Sequence, residues 1–313
     1  MTTTPTPPLA RGGPTKEAGH GELESGAGGT APRGRRGGGK NIVRGALLAV
    51  CLIWTIPTLG LLISSFRDRT AIQSSGWWTV FTSPLEYTQW TLANYSEVLQ
   101  GGMGAAFINS LVVSIPATII PILAAAFAAY AFSWMRFPGR DFFFVLLVGL
   151  LVIPLQVAFI PLLRLFGDFG INGTFLAVWL AHTGFGMPLA VYLLRNYMGS
   201  LPREVIESAR VDGASDYQTF WRLMIPLSVP VLAAFAIFQF LWVWNDLLVA
   251  LIFLGGGRNE VVTIALQQLV GSRGQDWHIL TAGAFITMIV PLIVFFGLQR
   301  YFVRGLTAGS VKG

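Results

Sequence analysis

Six long, mainly apolar runs constrain this chain more than any other feature of its sequence. A helix needs ~20 such residues to cross the hydrocarbon of a bilayer. In lipid, backbone polar groups must be satisfied within the spanning structure, and a helix does this by itself. The predicted spans are 45–66, 105–135, 142–163, 175–194, 227–254 and 277–301. The sequence therefore predicts an all-α integral membrane protein with six transmembrane helices.

The composition agrees with a membrane protein. Charged residues make up 12% of the chain, against roughly 25% in soluble domains. The single cysteine, Cys51, lies inside an apolar run, so neither an internal disulfide nor a thiolate metal cluster can form. A net charge of +6 would suggest nucleic acid as a partner of a soluble protein, but in a membrane chain the basic residues can instead sort by side.

The first forty residues differ from the rest. Residues 1–40 are rich in Gly, Pro, Thr and Ser, and they predict a disordered cytosolic tail ahead of a membrane domain over 41–313. No apolar core follows within the first thirty residues, so no signal peptide is predicted. Residues 34–41 nearly match a phosphate-binding loop, but Asn41 replaces the Ser or Thr and no strand precedes it, so ATP must be bound elsewhere.

The segments between the spans predict turns and interfacial structure. Residues 67–103 mix Trp and Tyr with polar residues, which is typical of a membrane-water interface, and we expect short external helices there. Residues 168–173 predict a short external turn and 255–276 an external loop. Pro116 and Pro121 should kink or break the second span.

The distribution of Lys and Arg predicts the orientation. The side that holds both termini carries 16 of these residues and the other side carries 5. Cytoplasmic flanks retain positive charge. Both termini, the turn at 136–140 and the segment between the fourth and fifth spans are therefore predicted to be cytoplasmic.

That segment, residues 201–227, is the elbow of the chain: LPREVIESARVDGASDYQTFWRLMIPL. Gly213 offers the left-handed residue that closes a helix, and Ser215–Gln218 is a capping box that opens another. Glu207 and Arg210 lie one turn apart and can pair. The elbow is too polar to span a bilayer and too apolar for a plain linker, so we expect one face to dock on a partner.

The spacing within the elbow matches the EAA loop of permease subunits of ABC importers, and this chain resembles the carbohydrate type, similar to the maltose transporter's second membrane subunit. Ser208 stands where the family more often has Ala. The resemblance extends over 107–111, 136–140 and 299–313, and residues 281–285 onward look closest to alpha-glucoside permeases. The positions carried over to the loop are Glu207, Ser208, Ala209, Asp212, Gly213 and Pro226.

The resemblance implies a non-hydrolysing subunit of the cytoplasmic membrane, with no catalytic residue and no cofactor of its own. Two separate subunits would bind and hydrolyse ATP, and the elbow would be the coupling helix that seats in a cleft of one of them. A second permease and an extracytoplasmic sugar-binding protein would complete the importer. Residues 305–313 would form a second ATPase contact, and the substrates would be alpha-glucosides such as trehalose, sucrose or maltose.

Asn245 and Asp246 are the candidate polar residues within the fifth predicted span. In one interpretation they lie near the translocation path and hydrogen-bond sugar hydroxyls. In the other, Asp246 lies near the outer interface and pairs structurally with another helix. His182 and His278 have no metal-ligand spacing, so no metal site is predicted.

Two other classes of protein share parts of this pattern. An ion-coupled secondary transporter would need buried coupling charges, and apart from Asp246 the spans are nearly free of charge. A non-transporting membrane scaffold could have this composition, but it would need no capped lever between two spans.

Overall fold

The computed structural model describes residues 37–83, 90–255, 257, 259–270 and 276–308. The predictions for residues 1–36 and 309–313, which include most of the tail and the end of the second ATPase contact, lie outside the described residues. The chain divides into two compact units, Met1–Ile53 and Trp54–Gly313. Helix α1 (Gly37–Ser65) begins in the first unit, and all packing described below lies within the second.

All the regular secondary structure of the described residues is helical. Short 3-10 segments cover Trp77–Phe81 and Leu150–Val152, and π-helical turns cover Leu99–Met103 and Phe220–Met224. The α-helices that follow α1 are α2 (Arg69–Ser74), α3 (Ala93–Val98), α4 (Gly104–Trp134), α5 (Arg140–Gly149), α6 (Leu155–Asp168), α7 (Phe175–Gly199), α8 (Arg203–Val211), α9 (Asp216–Thr219), α10 (Ile225–Trp244), α11 (Leu248–Phe253), α12 (Val262–Leu269) and α13 (Trp277–Ala308).

Five helices in the described part of the chain are long and apolar enough to cross a membrane, namely α1, α4, α7, α10 and α13. The third predicted span is not one helix, because α5 and α6 are bent by 104° at the break between them. Ile153 precedes Pro154 and takes an extended conformation, with φ −78° and ψ 121°, as the proline ring requires of its neighbour. With the bent pair counted as one span, the prediction of a six-span all-α protein is confirmed.

Helices α4, α7, α10 and α13 form the packed centre of the second unit. Ala125 and Ala129 of α4 and Ala190 of α7 are fully buried in a common cluster. Small residues let helix backbones approach closely, which is the usual basis of helix association in membranes. This centre positions both ends of α10, where the candidate site residues lie.

Of the predicted kink or break in the second span, the break does not occur, because α4 continues through Pro116 and Pro121. A proline removes one N–H from the helical ladder and leaves a carbonyl four residues earlier without its partner. In α4 both of those carbonyls accept hydrogen bonds from side chains of neighbouring helices, at Val112 and Ala117.

The fifth span ends at Trp244, ten residues before its predicted end. The side-chain amide of Asn245 donates to the carbonyl of Leu241 at 2.7 Å, a local bond that competes with continued helix. The apolar run continues beyond this point, so hydropathy does not reveal the helix end. The predicted loop over 255–276 contains α12, whose Val262 and Ile264 are buried.

The segment that follows α1 contains the predicted short helices, and a buried arginine holds them. Arg67 donates to the carbonyls of Ser75 and Ala71 at 3.2 and 3.1 Å. Asn94 is also buried, and its amide donates to the carbonyls of Ser65 and Arg67, both at 2.9 Å. Arg67 is therefore part of the fold and not a solvated flanking charge.

Candidate functional site

The elbow closes its first helix on Gly213. This residue has a φ of +81°, the left-handed conformation that glycine adopts without steric cost. The N–H of Gly213 donates to the carbonyl of Arg210 at 3.0 Å, and the N–H of Ala214 donates to that of Ala209 at 3.0 Å. This pair of hydrogen bonds is a Schellman motif, and it confirms the predicted end of the helix.

The predicted capping box is also confirmed. The Ser215 hydroxyl accepts from the backbone N–H of Gln218 at 3.3 Å, and the Gln218 side chain accepts from the backbone N–H of Ser215 at 2.9 Å. From Asp216 the chain is helical to Trp244, through the π-helical turn and into α10. The second half of the elbow is therefore continuous with a membrane-spanning helix.

The inner face of the elbow is fixed to the helical centre. Ile206 is buried in the same hydrophobic cluster as Met198 and Phe220. Arg210 donates to the carbonyl of Trp134, the last residue of α4, at 3.3 Å. Two independent contacts, one apolar and one polar, thus connect α8 to the ends of its neighbours.

The expected pair between Glu207 and Arg210 is not the one that forms. Arg210 pairs with Asp216 at 3.5 Å, because the turn at Gly213 brings the first residue of α9 back towards α8. The hydroxyl of Tyr130, on α4, donates to the same carboxylate at 3.2 Å. Asp216 therefore links α4, α8 and α9.

The outer face of the elbow is open. Glu207, Ser208, Asp212 and Gly213 are exposed, whereas Ala209 is half-buried. A surface depression of about 470 Å³, called here the elbow depression, is lined by Ala209, Asp212, Gly213, Ala214, Gln218, Thr219, Arg222 and Leu223.

The elbow gathers some predicted residues and not others. Ala209, Asp212 and Gly213 meet at the depression, but Pro226 lies outside it, exposed in the first turn of α10. Sequence reasoning missed two apolar side chains beside the depression, Val211 at 87% and Tyr217 at 70% exposure. The available signal was their position beside the predicted caps at Gly213 and Ser215.

Asp246 lies at the opposite end of α10 and caps the next helix. Its carboxylate accepts the backbone N–H groups of Val249 and Ala250 at 2.8 and 3.2 Å. Its backbone carbonyl accepts the Thr263 hydroxyl at 2.7 Å, and its carboxylate is 3.8 Å from the Nε2 atom of His182. These contacts favour the structural interpretation of Asp246, while the neighbouring Asn245 is exposed.

No metal centre is formed by the described residues, among which no three His, Cys, Asp or Glu side chains converge. His182 is buried in α7 with its ring against Trp242 at a centroid distance of 5.3 Å. That position makes it part of the packing between α7 and α10.

Comparison with known proteins identifies the family of this chain. Residues 117–308 match the family described as the binding-protein-dependent transport system inner membrane component. The chain is 63% identical over 269 residues to an osmoprotective compounds uptake permease of Synechocystis sp., covering 85% of this chain and 90% of the relative. It is 46% identical to an alpha-glucoside transport system permease of Rhizobium meliloti, with coverage of 86% and 96%.

A solved structure shares the fold. One chain of a bacterial ABC transporter that imports the acidic polysaccharide alginate superposes with a TM-score of 0.68 at 21% identity, covering 84% of this chain and 96% of that one. The superposition includes nearly the whole of that chain, so the two chains share their fold. With the family match and the two relatives, it leads to one conclusion: this chain belongs to the inner membrane components of binding-protein-dependent transport systems, the permease subunits of ABC importers.

Proposed function

We propose that this chain is the permease subunit of a sugar importer and that its elbow receives the motion of a separate ATP-hydrolysing subunit. One observation carries the proposal: the elbow is tied to the helical centre on its inner face, and its outer face exposes Val211, Asp212 and Gly213. A single exposed apolar side chain is normal on a protein surface, so the proposal depends on where these residues lie, at the spacing that resembles the EAA loop of ABC importer permeases. The coupling residues are Glu207, Ser208, Ala209, Asp212, Gly213 and Pro226.

The contacts of the elbow supply a path for that motion. A push on α8 reaches α4 through Arg210 and Trp134, and it reaches α10 through the continuous helix that begins at Asp216. Closing of an ATPase dimer would draw in the elbow with these helices, and so turn the central cavity from inward to outward facing. A hinge of loose Gly and Ser would dissipate such a push, whereas Gly213 lies between two capped helices.

The proposed substrate is a small neutral sugar of the alpha-glucoside class. The Rhizobium relative is named for alpha-glucosides and the Synechocystis relative for osmoprotective compounds. The spans are nearly free of charged side chains, which suits a neutral solute and not an anionic one. Trehalose, sucrose and maltose are the first candidates.

The proposed assembly contains a second permease, two ATP-binding subunits and an extracytoplasmic sugar-binding protein. The family description names binding-protein dependence. The excess of Lys and Arg on the side of the termini supports a cytoplasmic elbow in the cytoplasmic membrane. The chain itself would bind no ATP and catalyse no reaction. Nothing among the described residues favours the ion-coupled carrier or the scaffold.

Uptake by right-side-out membrane vesicles loaded with ATP tests the proposal. Vesicles that contain all the subunits should accumulate trehalose, sucrose or maltose, and a substitution that inactivates the ATPase should abolish that uptake. A proton or sodium ionophore should leave it unchanged. Cellobiose, a beta-glucoside of the size of maltose, is the matched control for linkage. Uptake that follows an ion gradient, or no uptake of any sugar, would contradict the proposal.

A further inference from the structure

Three prolines of the helical centre each leave a backbone carbonyl without its helical partner, and a neighbouring helix supplies a donor to each. In an α-helix the N–H of one residue bonds the carbonyl four residues earlier, and proline has no N–H to give. Pro116 therefore frees the carbonyl of Val112 in α4. The indole N–H of Trp179, on α7, donates to that carbonyl at 3.0 Å.

The second case lies one turn further along α4. Pro121 frees the carbonyl of Ala117, and the Gln239 side chain of α10 donates to it at 3.2 Å. Gln239 is fully buried, and its amide also lies 3.4 Å from the carbonyl of His182 on α7. A methyl group added at Gly186 would come within 2.8 Å of the Gln239 amide oxygen, so this glycine leaves room for Gln239 to reach α4.

The third case joins the last helix. Pro291 frees the carbonyl of Thr287 in α13, and the indole N–H of Trp244, on α10, donates to it at 3.0 Å. Trp244 is buried, and its ring stacks on Phe240 at a centroid distance of 5.7 Å. The donor is therefore fixed in place by its own packing.

We propose that Trp179, Gln239 and Trp244 are positioning residues that tie the four long helices into a single body. The three hydrogen bonds, called here the ties, join α7 to α4, α10 to α4, and α10 to α13. Three is the smallest number of connections that can link four helices. In lipid, a side chain of a neighbouring helix can satisfy the carbonyl that a proline frees, and at these three sites the proline makes the acceptor available to the donor opposite it.

The ties are selective. Pro161, Pro188 and Pro230 also lie inside helices. In the described part of the chain, no side chain donates to the carbonyls that these three would free. Gly184, four residues before Pro188, instead lines a cavity of about 300 Å³ beside the break at Pro154. Pro188 and Pro230 lie in α7 and α10, so the hydrogen bonds single out particular prolines within the four-helix centre, and Pro161 of the broken α5–α6 pair has none among the described residues.

If the proposed function is also correct, the elbow's motion moves this four-helix body as a unit, and bending is confined to other parts of the chain. The ties themselves do not depend on transport. They can be measured as stability, so their failure is distinct from a failure of the proposed function.

Double-mutant cycles on the full chain in mixed micelles test the ties. Trp244→Phe removes the indole N–H, and Pro291→Ala restores the N–H within α13. Trp244→Phe should lower the free energy of unfolding when Pro291 is present. It should change that free energy little when it is combined with Pro291→Ala. The expected coupling is a roughly 3- to 20-fold change in the unfolding equilibrium constant, the span of hydrogen-bond cycles in membrane proteins.

Parallel cycles pair Gln239→Leu with Pro121→Ala and Trp179→Phe with Pro116→Ala. The matched control is Trp242→Phe, on the same helix as Trp244, which should show no coupling to Pro291→Ala. If Pro291→Ala does not fold, Pro291→Leu serves instead, since any other residue restores the N–H. Coupling in all three cycles supports the proposal, and an additive effect in any one of them would overturn the linkage of the four helices into a single body.

Spin labels test whether the four helices move together. Ile119 on α4 and Ile289 on α13 are both about half exposed on the helical centre, so labels there should not disturb the packing. In the complete complex, with Cys51→Ala, the distance between the two labels should be the same without nucleotide and with trapped nucleotide. A distance that changes between the two states would overturn the single body, whether or not sugar is moved.

Discussion

Helix α10 has a capped short helix at each of its ends, and the two have different surroundings. At its start, Ser215 opens α9 in the elbow. At its end, Asp246 opens α11 by accepting two backbone N–H groups. Three apolar residues of α11 are buried by the chain itself, with Val249 and Phe253 1% and Ala250 3% exposed, while Leu248 and Leu251 on its other face are 44% and 40% exposed. Beside the elbow caps, Val211 is 87% exposed.

The comparison shows that a capping residue predicts where a helix begins but not whether the rest of the chain covers that helix. A cap tells where a helix begins, because it satisfies the first free N–H groups. It does not tell what covers that helix. The Asp246 end of α10, called here the covered end, buries one face of α11 within the chain, whereas the elbow end leaves Val211 almost fully exposed for a partner to cover.

The largest effect on ATP-driven uptake is expected for Gly213→Asp. It forces a side chain onto a left-handed residue and adds a charge at the elbow depression. Gly170→Asp is the matched control, since Gly170 also has a positive φ of 67° and has no atom within 4 Å of an added Cβ. Both should lose ~1 kcal/mol of stability from the backbone conformation. Only Gly213→Asp should abolish ATP-driven uptake and co-purification of the ATPase. Equal uptake in the two variants would mean that the turn at Gly213 has no functional role that the turn at Gly170 lacks.

A smaller effect on uptake, but a loss of stability at least as large, is expected at the covered end of α10. Asp246→Ala removes the acceptor for two N–H groups and should cost about 1–2 kcal/mol of unfolding free energy. Asp246→Asn keeps an acceptor and should retain most of the stability and the uptake. Thermal unfolding and sugar uptake measure the two properties separately. A variant Asp246→Asn that folds normally but transports no sugar would instead support the translocation-path interpretation.

The smallest effect is expected for Ser215→Ala, which removes one half of the capping box. The loss should be about 0.5–1 kcal/mol, and Ser215→Asp, which also caps helices, should restore it. Chemical unfolding of the purified chain measures this difference. Uptake should fall only slightly, because Arg210, Asp216 and Ile206 still fix the elbow. A large loss of uptake with unchanged stability would mean that the Ser215 hydroxyl itself contacts the partner.

Local chemistry made the elbow predictable. The left-handed Gly213 and the capping box at Ser215 depend on residues within a few positions, and both were found from the sequence. The partner of Arg210 was not, because Asp216 reaches it only after the chain has turned. The end of α10 at Trp244 was hidden by an apolar run that continues past it.

The prolines also show that local sequence does not predict contacts between distant residues. Pro154 breaks its span, but Pro116 and Pro121 do not break α4. At Pro116 and Pro121, donors on other helices, Trp179 and Gln239, satisfy the freed carbonyls, and no local pattern reveals them. Since Pro161, Pro188 and Pro230 also lie inside helices without such donors among the described residues, a proline by itself does not predict the end of a membrane helix.

A single cysteine at Val211, in a Cys51→Ala background, tests whether the elbow is the ATPase contact. In vesicles that contain the complete importer, a short thiol crosslinker should join this residue to the ATP-hydrolysing subunit. A reagent that cannot cross the membrane should label the residue only from the cytoplasmic side. Labelling of Val211→Cys from the extracytoplasmic side, with no crosslink to the ATPase, would contradict the proposed function.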